Sequence, residues 1–133
     1  MKKKKRKIKK LKPEKKVPAD WGATEEELVQ TLDENLFYAW IKLRKFSVSL
    51  GPQRIYASPK AIMFSKKICF FFVRPKKAYL EIWIFLPRKI ESLKSVQSAK
   101  KIPKFCNMMK VLHADQIEAP LTEWIREAYE FCA

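Results

Sequence analysis

From Tyr79 to Leu86 the chain alternates without interruption, with Leu80, Ile82, Ile84 and Leu86 at one parity and Tyr79, Glu81, Trp83 and Phe85 at the other. Successive side chains of a strand point to opposite faces, so this segment is a β-strand with one aliphatic and one aromatic face. Its backbone groups require strands on both sides. The nearest candidates are short apolar runs split by turn residues: Gln53–Ala57, Ala61–Phe64 and Ile68–Val73, separated by Ser58-Pro59-Lys60, Ser65-Lys66-Lys67 and Arg74-Pro75-Lys76-Lys77. Connections this short join antiparallel neighbours. The reading is a four-strand meander, with a fifth strand at Met108–Leu112. Pro87 and Pro103 bracket a polar stretch in which a short helix is expected around Ile90–Ala99.

Two amphipathic helices flank the strands. Leu28, Leu32, Leu36, Trp40 and Leu43 recur at three- to four-residue spacing. Thr24-Glu25-Glu26-Glu27 reads as a capping box, and Gly51-Pro52 as the stop. The spacing therefore predicts one continuous helix. At the other end Leu121, Trp124, Ile125, Ala128, Tyr129 and Cys132 form a second stripe, with Pro120 suited to the first turn. On this stripe Trp124 is expected as a large buried ring. Each helix offers one apolar stripe, so both belong on one face of the sheet. The expected fold class is α+β: an antiparallel sheet of about five strands with N- and C-terminal helices on one face, preceded by a disordered basic arm. The arm is residues 1–19 and the single domain residues 20–133.

Charge is segregated along the chain. The formal net charge is +15. The arm holds eleven Lys/Arg against Glu14, and residues 20–39 hold only acids. Residues 40–110 are again strongly basic, with Glu81 and Glu91 as their acids, and residues 111–133 are acidic apart from Arg126. Like-charge repulsion and few apolar groups keep such an arm disordered in isolation. Basic charge concentrated within the fold attracts phosphate backbones and other polyanions.

Several function classes are disfavoured. Gly22 and Gly51 are the chain's glycines, too few for a phosphate-cradling loop. Cys69, Cys106 and Cys132 are widely spaced and His113 is the single histidine, which leaves no zinc spacing. Free thiols of this kind suit a reducing compartment, so a cytoplasmic location is expected. His113 follows a strand end and reads as a surface or capping residue. Glu81 and Glu91 do not make the converging carboxylates of a metal-dependent nuclease; Glu81, with Lys76 and Lys77 nearby, reads as a strand-surface acid paired with a neighbouring lysine. No catalytic residue, metal or cofactor is expected. The longest apolar run, Ile68–Val73, is too short to span a bilayer.

Binding is better supported than catalysis. Lys2, Lys3, Lys4, Lys5, Arg6, Lys7, Lys9 and Lys10 on the arm can neutralise phosphates without regard to sequence. In a meander alternate turns lie at opposite ends. Lys60 should then share one end with Arg74, Lys76 and Lys77, while Lys66 and Lys67 share the other with Arg88 and Lys89. Tyr79 and Trp83 lie between these ends, with Phe85, on the aromatic face. Basic groups around a row of aromatic rings make a platform for stacking nucleic-acid bases. The same face could instead be buried against a helix, a loop or a partner.

From Leu36 onward the chain resembles an uncharacterised bacterial domain family labelled "predicted transport protein", found alone or C-terminal to restriction-nuclease-like domains. The stretches that carry the likeness are Leu50-Gly51-Pro52, Ile62-Met63-Phe64, Val73-Arg74-Pro75-Lys76-Lys77, Tyr79-Leu80-Glu81-Ile82 and Trp124-Ile125-Arg126-Glu127-Ala128-Tyr129-Glu130. That family is akin to YjbR-like double-wing domains, which implies an α+β fold and a lean toward DNA. The family's Gly-His-Trp-Gly motif is replaced here by Lys104-Phe105-Cys106-Asn107. The expected function is a non-enzymatic accessory nucleic-acid-binding protein, with DNA as the favoured partner and weak sequence specificity. The competing expectation is an interaction or regulatory module for an acidic protein, with the aromatic strand face as its interface.

Overall fold

A computed structural model describes residues 23–99 and 104–132. The elements in chain order are helix α1 (Ala23–Gln30), helix α2 (Glu34–Ser49), strands β1 (Arg54–Ala57), β2 (Ile62–Ser65), β3 (Cys69–Pro75), β4 (Leu80–Leu86), β5 (Lys94–Ala99) and β6 (Lys104–Val111), a 3-10 turn (Ala114–Gln116) and helix α3 (Leu121–Phe131). The strands form one antiparallel sheet in the order β1-β2-β3-β4-β6-β5. The α+β class, the β1–β4 meander and the helix-covered face agree with the sequence.

Two elements differ from expectation. The N-terminal helix is two helices. Asp33 breaks it: its Oδ1 accepts from the Leu36 amide at 2.8 Å, capping a new helix. Thr24 lies inside the first turn of α1 rather than at its cap. Glu25 then receives Arg44 through two guanidinium hydrogen bonds at 2.7 and 3.3 Å. In one straight helix those residues would stand roughly 28 Å apart, from a rise of about 1.5 Å per residue. The fold-back therefore brings them together, and it buries Glu25 almost completely.

The second difference is β5, a strand where a short helix was expected, which makes the sheet six-stranded. Its anchor is Asn107 of β6, whose side chain is fully buried. The Asn107 Oδ1 accepts from the Ile90 amide at 2.9 Å and from the Ser95 hydroxyl, and its Nδ2 donates to the Arg88 carbonyl at 3.1 Å. These bonds tie down the loop after β4 and lay β5 along the outer edge of β6.

The core lies between the sheet and the helices. Val29, Leu32, Leu36, Trp40 and Leu43 from α1 and α2, and Leu121, Ile125 and Ala128 from α3, pack on Ile62, Phe64, Phe71, Val73, Leu80, Ile82, Ile84 and Leu86. Trp124 is half-buried at the margin, and among the described tryptophans Trp40 is the fully buried one. The stripe centres on Leu121, Ile125 and Ala128, which leaves Trp124 on its shoulder. A bulge gives β3 its apolar character on both parities. Phe64 pairs with Phe71 and Ser65 with Cys69, so Phe70 is an extra residue turned inward. Phe71 stacks on Phe64 at 4.2 Å, and Phe70 meets Tyr129 of α3 edge-on at 5.2 Å. After α2, Gly51 has φ 139° and a Cβ there would meet the Tyr129 hydroxyl at 2.5 Å, so both backbone angle and space require glycine.

Candidate nucleic-acid interface

The register fixes what stands on the other face of the sheet. Tyr56 pairs with Met63, Met63 with Phe72, Phe72 with Trp83, Trp83 with Met108, and Met108 with Lys94. Directly paired residues point the same way, so these six form a row straight across every strand. At about 4.8 Å per strand the row is about 24 Å long. Phe85, Cys106 and Val96 form a shorter parallel row on one side, and Arg74, Glu81 and Lys110 on the other.

This face is open among the described residues. Met63, Phe72, Trp83, Phe85 and Met108 are half-buried, while Tyr56 and Val96 are 43% and 49% exposed. The covered face contrasts sharply: Ile62, Phe64, Ile82 and Ile84 are sealed completely. Phe72 and Trp83 stand nearly parallel, with centroids 6.0 Å apart and planes 12° apart, and Phe85 joins them at 6.0 Å from Phe72.

Cations surround these rings. Lys104 Nζ lies 4.9 Å from the Phe85 centroid, Lys110 Nζ 4.9 Å from Tyr79, and the Arg54 guanidinium 5.1 Å from Tyr56. Glu81 is the acid on this face. Its Oε1 accepts from the Trp83 indole N–H at 2.8 Å and lies 3.8 Å from Arg74. It stands opposite Lys110 in the register. Glu81 pairs with Arg74 rather than with the neighbouring lysine expected, and it also fixes the direction of the Trp83 ring.

The sequence-derived residues fall into distinct groups. Tyr79 and Trp83 lie on the open face, as their parity requires. Lys60, Lys76 and Lys77 are exposed at one end of the sheet, next to Arg74. Lys67 is exposed at the other end, but its neighbour Lys66 is committed to the fold. The Lys66 ammonium donates to the Tyr129 carbonyl at 3.1 Å and sits 3.9 Å from the Tyr129 ring centroid. Arg88 makes a two-pronged pair with Glu127 of α3 at 2.8 and 3.1 Å, and this hydrogen bonding raises its pKa further above the ordinary arginine value. Lys2, Lys3, Lys4, Lys5, Arg6, Lys7, Lys9 and Lys10 lie outside the described residues.

Sequence reasoning missed Arg54, Lys94, Lys104 and Lys110, together with Tyr56, Met63, Phe72 and Met108. The alternation Lys104, Cys106, Met108, Lys110 was present in the sequence. A last strand beginning at Met108 and a helix over Ile90–Ala99 split this alternation and leave Lys94 off the sheet.

Elsewhere the titratable groups are structural. His113 caps the 3-10 turn, with Nδ1 accepting from the Asp115 amide at 3.0 Å. Burial raises all three thiol pKa values, that of Cys106 to about 12, so these cysteines are poor nucleophiles. Among the described residues no group of His, Cys, Asp and Glu could hold a metal ion, and no helix is long and apolar enough to cross a membrane.

A sequence model of a domain of unknown function, DUF5655, matches residues 25–132. The chain belongs to the DUF5655 family. The DUF5655 match starts within α1 and ends at the last turn of α3, so it encloses the whole sheet and both its faces. No curated protein and no solved structure matches the chain.

Proposed function

We propose that this DUF5655 protein is a non-enzymatic nucleic-acid-binding protein that contacts phosphates with the open side of its sheet and with its lysine-rich arm. One observation carries the reading: Arg54, Arg74, Lys94, Lys104 and Lys110 border an uncovered aromatic face on which Glu81 is the acid. Acids gather on α1 and α3, with Glu26, Glu27, Glu123 and Glu130 exposed, while α2 carries Glu34 at its start and exposed Lys42 and Lys45 toward its end. This distribution favours the sheet over α1 and α3 as the side turned toward a polyanion. Lys60, Lys67, Lys76 and Lys77 extend the basic rim at both ends. The resemblance of the chain's motifs to an uncharacterised family akin to YjbR-like double-wing domains leans toward DNA.

A second reading follows from Met63 and Met108 in the central row. Flexible methionines suit surfaces that adapt to apolar protein segments. An acidic, amphipathic partner would satisfy both the methionines and the basic rim.

The test is binding of the full chain to duplex DNA, single strands, RNA and anionic vesicles as salt is raised. Affinity for nucleic acid should fall steeply, because each neutralised duplex phosphate releases about 0.9 counterion. Lys94→Glu with Lys110→Glu should flatten that slope in a chain that still melts normally. Equal slopes in the two proteins would remove the sheet from the interface and leave the arm. Binding to vesicles alone would overturn the reading.

A further inference from the structure

We infer that the ligand of the open face is a single strand that crosses the β-strands at a steep angle, with bases on the Tyr56–Met63–Phe72–Trp83–Met108 row and phosphates on its flanks. This inference rests on the nucleic-acid reading above and narrows it to one ligand class and one direction. Three observations carry it. The apolar row runs perpendicular to the strands, because the register places one of its members on each of β1, β2, β3, β4 and β6, with Lys94 continuing it on β5. The cations stand beside the row rather than within it, apart from Lys94 at its end: Arg74 and Lys110 on one flank, Arg54 and Lys104 on the other. The rings retain free surface, since Phe72, Trp83 and Phe85 are half-buried and Tyr56 is 43% exposed.

A ligand with a central line of flat apolar groups and charges along its edge complements that layout. An unpaired strand presents it, because its bases are free to stack on side chains while its phosphates remain accessible. A duplex does not, because its bases are stacked on each other and its surface toward a flat sheet is phosphate and groove edge. The row accommodates about two to four nucleotides, in keeping with the two or three bases stacked by other aromatic sheet platforms. A second copy of the chain fits the face poorly, because sheet-to-sheet association would oppose like charges.

Glu81 acts as a positioning residue in this arrangement. It accepts from the Trp83 indole at 2.8 Å and so directs the ring, while its charge opposes a phosphate. These two effects separate by substitution. Glu81→Gln keeps an acceptor and removes the charge, whereas Glu81→Ala removes both.

The experiment is fluorescence anisotropy of labelled oligothymidylates, from about two to twelve nucleotides, and of a duplex of equal charge, with the full chain. For the wild-type chain, affinity per strand should rise up to about four nucleotides and then grow slowly. Trp83→Ala should weaken single-strand binding by roughly five- to a hundredfold and duplex binding much less, while Trp83→Phe retains most of the affinity. Glu81→Gln should tighten single-strand binding, and Glu81→Ala should forfeit part of that gain. Lys94→Glu with Lys110→Glu provides a variant on exposed positions in case Trp83→Ala lowers stability. It should weaken both ligands. Equal losses for single strand and duplex in Trp83→Ala would overturn the inference and leave the phosphate-binding reading standing. So would tighter binding of the duplex than of the single strand. No binding of any oligonucleotide, with Trp83-dependent binding of an acidic amphipathic peptide, would overturn both.

Discussion

The two faces of the sheet are built by the same strands from alternate residues, yet they obey different physical rules. On the covered face Ile62, Phe64, Phe71, Val73, Leu80, Ile82, Ile84 and Leu86 are sealed under the helices. On the open face the paired positions carry Met63, Phe72, Trp83, Phe85 and Met108, interleaved with Arg54, Arg74, Lys94, Lys104 and Lys110. The charge next to the core is also handled differently. Glu25 is buried and held by Arg44 at 2.7 Å, whereas on the open face Lys104 and Lys110 lie over rings and Arg74 stands 3.8 Å from the half-buried Glu81. The contrast shows that an alternating strand encodes two surfaces at once, one selected for packing and one free to serve binding.

The largest effect that separates the faces is expected from paired tryptophan truncations. Trp40→Ala, under the helices, should cost about 3–5 kcal/mol in urea denaturation, the usual range for a buried large ring. Trp83→Ala, on the open face, should cost clearly less. Similar losses would mean that the open face is packed against something and not available. Next comes the buried charge. Glu25→Ala removes the partner of Arg44 and should cost about 3 kcal/mol, because breaking a buried pair strands the other charge. A loss under about 0.5 kcal/mol would place α1 outside the cooperative unit. At the other extreme of the comparison, Lys110→Ala should change stability by less than about 0.5 kcal/mol, as surface changes do, while lowering the salt slope of binding by about one.

A smaller effect is pH-dependent. Cys106 stands on the open side yet is buried, and its thiol is pushed up to about 12 from an ordinary 9.0. In the unfolded chain the thiol ionises first, so ionisation stabilises the unfolded state. Stability should be unaffected by this thiol below pH about 9 and should decline as pH rises toward about 12. The measure is urea midpoints at several alkaline pH values for the wild type and Cys106→Ala. The variant should decline less steeply; parallel declines would mean that Cys106 is not buried in solution.

Much of this architecture was readable in the residues. The alternation at Tyr79–Leu86 and the stripe at Leu121–Cys132 are local periodicities, and each specifies an element and its buried side without distant partners. The basic turns, the acidic character of α1 and α3 and the aromatic parity of Trp83 and Phe85 were legible for the same reason. Elements decided by distant groups were not. The break at Asp33 is masked by apolar spacing that runs through it unbroken, and the pairing of Glu25 with Arg44 that it allows, nineteen residues away, has no local signal. The strand β5 depends on Asn107 reaching Ile90 and Ser95, since the segment has no apolar periodicity of its own.

Sequence alone therefore determined the class of fold, the covered parity of each clear strand and the sign of the charge on each segment, because these follow from spacing and composition. Tertiary structure decided which side chains share a surface. It placed Lys94, Lys104 and Lys110 beside Trp83 by inserting β6 between β4 and β5, and it withdrew Lys66 and Arg88 by giving them Tyr129 and Glu127. Neighbour relations across a sheet depend on strand order and register. Between β1 and β4 short turns and alternation set both, whereas the insertion of β6 between β4 and β5 is set by pairing between segments that no short turn joins.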